Sequence, residues 1–123
     1  MGENVTLSAQ QHRVLQILWR EGEASVKQVQ QALNGSLAHT TVGTMLARLE
    51  KKGVLASTAR ARERYYRPLV SESEVQRSMV TDLVSTLFSG DPKALVAHLV
   101  NESDIQPGDL AAIRKLLEEG SQR

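Results

Sequence analysis

Apolar residues recur with a helical period in three segments before residue 53, and this spacing predicts three helices. The first opens at Ser8, where Ser8 and Gln11 have the spacing of a capping box: each side chain serves an otherwise orphan backbone N–H. Val14, Leu15, Leu18 and Trp19 form its stripe, and Gly22 supplies its stop. Ser25 and Gln28 repeat the box for a shorter helix. Val26, Val29 and Leu33 line its apolar side, and Asn34-Gly35 ends it. The third helix begins between Ala38 and Thr40 and runs to Lys52, with Gly53 just past its end. Val42, Met45, Leu46 and Leu49 make its buried side.

After Gly53 the period changes. Val54 to Thr58 and Arg64 to Pro68 carry β-branched and aromatic residues in place of a helical stripe, so they read as two short strands. The connection Ala59 to Glu63 lacks Asn-Gly or Gly-Gly, which predicts a loose hairpin. Helical spacing then returns. Ser71 and Glu74 form a third capping box, opening a long helix from Glu72 to about Phe88. Val75, Met79, Leu83 and Leu87 repeat every four residues there, and Val80, Val84 and Phe88 widen the stripe. Asp91-Pro92 is a cap and first-turn pair for a fifth helix bearing Leu95, Val96, Leu99 and Val100. Pro107 begins a sixth, with Leu110, Ile113, Leu116 and Leu117 apolar, before a polar tail from Gly120.

The expected fold is therefore mostly α with a small β-hairpin. Three helices followed by a two-stranded wing form a winged helix-turn-helix, and three more helices follow. The expected division is residues 1–70 and 71–123. Charge divides in the same place. Residues 1–70 hold ten Lys/Arg against five Asp/Glu, a balance of +5, whereas 71–123 hold five against nine, a balance of −4. A basic half attracts a polyanion that the acidic half repels.

On the third helix, turning the apolar side inward leaves Thr40, Gly43, Thr44, Ala47, Arg48 and Lys51 outward. Short side chains permit close approach to a DNA groove, and Thr hydroxyls reach phosphates or base edges. Arg48 suits either a bidentate guanine contact or a phosphate clamp. Arg60, Arg62 and Arg64 alternate, so in an extended wing they would lie on one face. A solvated basic surface is the plainer reading of such a run; its place after two capped helices and across a hairpin tip favours DNA. A dimeric winged-helix module that meets an acidic protein is the alternative. Exposed aromatics or Met on the third helix would mark that interface, and the helix carries Thr, Gly and Ala there.

Other chemistry finds little support. The 123 residues contain no cysteine, which excludes disulfides, thiolate metal sites and cysteine nucleophiles. His98 and Glu102 stand i, i+4, but two ligands make a poor metal site, so no metal or cofactor is expected. No nucleophile elbow or phosphate loop is present, so no enzyme is expected. Met1 to Thr6 formally fits a myristoylation pattern without polybasic support and reads as coincidence. Trp19 is expected as a core anchor among the first three helices, and Met79 as packing. No apolar run approaches a membrane span and no leader pattern stands at the start, so cytoplasmic residence without stable membrane association is the expectation.

Four stretches are distinctive: Leu7-Ser8 through Leu18-Trp19; the run Thr41-Val42-Gly43-Thr44-Met45-Leu46-Ala47-Arg48-Leu49-Glu50-Lys51-Lys52-Gly53; Tyr66-x-Pro68-x-Val70-Ser71; and Leu87-Phe88-Ser89-Gly90-Asp91-Pro92. Together they resemble the penicillinase-repressor family of the BlaI/MecI type over nearly the whole chain. The resemblance implies a homodimeric winged-helix repressor on a palindromic operator, often in a β-lactamase or related promoter. It implies that Thr40, Thr41, Thr44 and Arg48 are recognition-helix contacts, with Lys51 near phosphate. Arg60, Arg62 and Arg64 fall in the variable wing, where charge carries the argument. Gly43 stands where several members have a larger side chain, often Arg. Copper-responsive members need a cysteine cluster that this chain lacks. Antibiotic-responsive members are cut in the fifth helix by a membrane-bound zinc-protease sensor, and the corresponding bond here is His98-Leu99; a different release signal fits equally.

The physics of the C-terminal half agrees with a dimer. Residues 71–123 are 53 residues of amphipathic helix with too little chain to cover their own stripes, so a second copy is the simplest cover. The expected dimerisation residues are Val75, Met79, Leu83, Leu87 and Phe88 on the long helix, Leu95 and Leu99 on the fifth, and Leu110, Ile113 and Leu117 on the sixth. Two wings on a two-fold axis then ask for a pseudo-palindrome with half-sites about one helical turn, ~10 base pairs, apart.

Overall fold

The computed structural model describes residues 5–102 and 105–121. The start of the lipidation-like pattern, residues 1–4, and the last two residues of the polar tail lie outside the described residues. The elements run α1 (Ala9–Glu21), β1 (Ala24–Ser25), α2 (Val26–Ala32), α3 (His39–Lys51), β2 (Leu55–Arg60), β3 (Glu63–Pro68), α4 (Glu72–Leu87), α5 (Pro92–Asn101) and α6 (Pro107–Ser121). The chain packs as two units, residues 1–80 and 81–123, so the division falls inside α4.

In the first unit the local rules operate as the spacing predicts. The Ser8 hydroxyl accepts from the Gln11 N–H at 3.1 Å, and the Gln11 side chain accepts from the Ser8 N–H at 2.9 Å. Ser25 and Gln28 make the same reciprocal pair at 2.9 and 3.2 Å. Gly22, at φ 87°, donates its N–H to Leu18 O and ends α1. Gly53, at φ 86°, turns the chain out of α3 so that Val54 N–H reaches Leu49 O. Both conformations are left-handed and favour glycine.

Two features depart from expectation. Ala24–Ser25 pairs with β3 as an extra strand, giving a three-stranded antiparallel sheet in the order β1-β3-β2. Ser25 is thus both the last strand residue and the cap of α2. The hairpin is also tight: Arg60 faces Glu63, and only Ala61 and Arg62 turn, at φ 50° and 69°. Positive φ at both central positions is the turn whose twist matches flanking strands, and here it is built without glycine or asparagine.

The core gathers Val14, Leu15 and Leu18 of α1, Val29 of α2, and Val42, Leu46 and Leu49 of α3, beneath Leu55 and Tyr66 of the sheet. Trp19 is half-buried at the edge of this core. Its indole N–H donates to Val70 O at 2.8 Å, tying α1 to the segment before α4. The first turns of α4 complete the unit: Val75 is 1% exposed, Met79 packs on the core, and Ser78 Oγ accepts from the Val5 N–H at 2.7 Å.

In the second unit, Asp91 caps α5 by accepting from the Lys93 N–H at 3.0 Å, with Pro92 in the first turn. The Phe88 and His98 rings lie 5.7 Å apart, centroid to centroid. Val84 is buried, whereas Leu83, Leu87, Val96, Leu110, Ile113, Leu116 and Leu117 are exposed.

Candidate nucleic-acid interface

α3 presents the outward face its period predicts. Thr40, Thr41, Thr44, Ala47, Arg48 and Lys51 are all exposed, while Val42, Leu46 and Leu49 are buried and Met45 is half-buried. Gly43 is turned partly towards α2: a methyl group there would meet Val26 Cγ1 at 3.9 Å, an ordinary contact. The first half of α3 thus offers small and hydroxylic groups, and Arg48 and Lys51 add charge without an ion pair among the described residues.

The hairpin register separates the three wing arginines that an extended strand would align. Residues directly opposite each other share a face, and alternate residues switch faces. Arg60 therefore lies on the face of Glu63 and Tyr65, whereas Arg64 lies on that of Ala59 and the buried Tyr66. Arg60 is ion-paired with Glu23, and its guanidinium carbon sits 4.2 Å from the centroid of the Tyr65 ring. Arg64 donates through Nη1 to Ser57 Oγ at 3.0 Å, and Ser57 donates to Glu50 Oε2 at 2.7 Å. This relay couples the wing to the last turn of α3. Arg62, at the turn, is exposed and makes no ion pair among the described residues.

Tyr66 anchors the same junction. Burial, reinforced by the nearby Glu50 carboxylate and opposed by Arg64, holds its phenol above the ordinary tyrosine range.

Lys27 and His39 were not singled out by the sequence pattern. They line a cleft of about 220 Å³ with Ser25, Val26, Arg62, Glu63 and Arg64. A signal for Lys27 exists: it lies in the first turn of α2, where the helix dipole disfavours a cation. The first turns of α1, α2 and α3 hold no acidic residue, whereas those of α4 and α6 hold Glu72, Glu74 and Asp109. Negative charge complements a helix N-terminus, so the first three helices leave that role unfilled by side chains.

The sequence profile described as penicillinase repressor matches residues 7–119. The chain belongs to the penicillinase repressor family. Among relatives, the transcriptional regulator BlaI of Mycobacterium tuberculosis is 31% identical over 97% of this chain and 88% of its own. The methicillin resistance regulatory protein MecI of Staphylococcus aureus is 22% identical over 90% of this chain and 92% of its own. The solution structure of the DNA-binding domain of the repressor BlaI superposes with a TM-score of 0.53 at 28% identity, covering 60% of this chain and 93% of that one. A MarR family protein from Bacillus stearothermophilus shares the fold at a TM-score of 0.52 and 22% identity, over 96% of this chain and 78% of its own.

The residues expected at a family dimer interface divide. Val75 and Met79 are taken up by the core of their own unit, because α4 enters that core with its first turns. Leu83, Leu87, Leu110, Ile113 and Leu117 are exposed, and Phe88, Leu95 and Leu99 are half-buried. His98 and Leu99 lie inside α5, so cleavage of the bond between them requires local unwinding. Among the described residues no helix is long and apolar enough to cross a membrane, and no three His, Cys, Asp or Glu side chains group to hold a metal ion.

Proposed function

We propose that this chain is a dimeric, sequence-specific, DNA-binding transcriptional repressor that occupies a palindromic operator in the cytoplasm. The observation that carries the reading is the exposed face of α3, with Thr40, Thr41 and Thr44 flanked by Arg48 and Lys51, on a unit that superposes on the BlaI DNA-binding domain. Residues 1–70 supply the reading head. The exposed leucines of α4 and α6 supply the subunit contact, since a surface with Leu87 66% and Leu117 69% exposed gains by burial against a second copy. The protein-interaction alternative loses ground on the same face, where Met45 is turned towards the core and no aromatic is exposed on α3.

The wing contributes unevenly in this reading. Arg62 is the direct phosphate contact, Arg64 both contacts phosphate and steadies the wing through Ser57, and Arg60 shapes the hairpin. Release by a membrane-bound zinc-protease sensor would act at His98-Leu99. Co-expression with such a sensor should yield fragments 1–98 and 99–123, and an intact chain under induction removes that step. The function itself is tested by selecting bound sites from random duplexes. Enrichment of a pseudo-palindrome with half-sites about one helical turn apart supports it, and recovery of unselected sequence overturns it.

A further inference from the structure

We propose that the cleft between the start of α2, the start of α3 and the wing turn seats one backbone phosphate of the bound duplex, and that His39 makes this contact stronger in acid. Lys27 enters from α2, His39 from α3, and Arg62 and Arg64 from the hairpin, so three separate elements converge on about 220 Å³. That volume is several times the share of one water molecule and leaves room for a phosphate group. Glu63 also lines the cleft, and the Tyr65 hydroxyl approaches its Oε2 at 3.5 Å. Arg64 uses one N–H on Ser57, which leaves the rest of its fork for an anion.

The charges determine the class of ligand. Lys27, Arg62 and Arg64 against Glu63 leave the cleft at +2 with His39 neutral, and at +3 with His39 protonated. These are the charged and titratable groups that face His39, from α2 and from both sides of the wing turn; α3 adds only the hydroxyls of Thr40 and Thr41 next to it. Such a site takes an anion with several acceptor oxygens and rejects a cation or an apolar group. The cleft borders both the start of α3, where the candidate base-reading face begins, and the wing turn, so a strand running past α3 brings a phosphate to it. An imidazole changes charge between about pH 5 and 8, so lowering pH adds a donor and a charge to the same contact.

This inference rests on the DNA-binding reading above. Its test uses the full chain and a labelled duplex of arbitrary sequence in dilute buffer, because phosphate contacts do not depend on base sequence. Affinity is measured by anisotropy at about pH 6 and about pH 8, and across a salt series, for wild type, His39→Gln and Lys27→Gln. Wild type should bind about threefold or more tighter at the lower pH, and His39→Gln should lose most of that ratio. Lys27→Gln should lower the log–log salt slope by about 0.9. Wild-type binding with an unchanged pH ratio in His39→Gln, or an unchanged salt slope in Lys27→Gln, overturns the cleft while leaving the DNA-binding reading standing. Failure of wild type to bind any duplex overturns both.

Discussion

Arg60 reaches from the end of β2 to Glu23, just ahead of β1, and lies over the Tyr65 ring on the way. Its charge is thus engaged within the protein, while Arg62 two residues later projects from the turn without an ion pair among the described residues. The two arginines should behave differently as alanine variants. Arg62→Ala should weaken binding to all duplexes alike and lower the salt slope by about 1. Arg60→Ala should leave that slope nearly unchanged and destabilise the fold by up to about 1 kcal/mol, the range for an exposed ion pair and a surface cation–π contact. Anisotropy across a salt series, with urea unfolding alongside, separates the two; equal slope losses would place Arg60 on the duplex.

The wing turn carries strain that a single substitution relieves. Ala61 sits at φ 50°, where an L-residue with a Cβ is disfavoured by about 1–2 kcal/mol. Asparagine tolerates this region and is favoured at the first central position of such a turn. Ala61→Asn should therefore raise the urea midpoint, by about 0.5–1 kcal/mol in stability, with the salt slope of DNA binding unaltered. A lower midpoint would mean that the turn does not hold this conformation in solution.

Much of this architecture was legible because its signals are local. The three capping boxes at Ser8, Ser25 and Ser71 each span four residues, and each forms as spaced. The outward face of α3 follows from its own period. What was not legible depends on partners distant in sequence. The two residues of β1 carry no strand signal of their own; they become a strand because β3 passes beside them. The arginines of the wing alternate on paper, but a turn without glycine or asparagine concealed the fold-back that separates Arg60 from Arg64. In α4 the apolar stripe marks Val75 as buried without saying by what, and its own core is the cover. Lys27 and His39 meet only after α2, α3 and the hairpin have packed.

Tyr66 gives the junction of wing and α3 an alkaline limit. Its phenol is held above the ordinary value of about 10, first by burial and then by Glu50, so the folded state favours the neutral form. The resulting stabilisation is fully present below that ordinary value and is lost as pH rises through the raised folded value. Tyr66→Phe cannot ionise. Between about pH 8 and about pH 11, the urea midpoint of wild type should fall further than that of Tyr66→Phe. Parallel declines in the two proteins would show that Tyr66 ionises as freely folded as unfolded.

Arg48 lies in the last turns of α3 on the face of Thr44, where either a base edge or a phosphate is within the reach of a guanidinium. Arg48→Ala should cost roughly 1–3 kcal/mol on the selected operator. If the contact is to a base, competition among single-base variants of the operator flattens at one position; if it is to phosphate, every variant weakens in proportion. Unchanged affinity and selectivity would remove Arg48 from the interface.

Leu117 on α6 is 69% exposed and Leu87 on α4 is 66% exposed, with Ile113 and Leu110 spaced along the same helix as Leu117. A single exposed leucine is unremarkable on a protein surface, but a run of them at helical spacing is an interface pattern. Burying one such side chain contributes roughly 1.5–3 kcal/mol, and placing a lysine there adds the cost of desolvating a charge. Leu117→Lys should therefore shift the sedimentation profile from two chains towards one, with helix content retained because the side chain lies outside its own unit's core. Loss of pairing should weaken binding to a two-half-site duplex far more than to an isolated half-site, since a monomer engages both equally. If Leu117→Lys and Leu87→Lys both sediment as wild type and discriminate the two duplexes as wild type does, the subunit contact lies elsewhere on the chain.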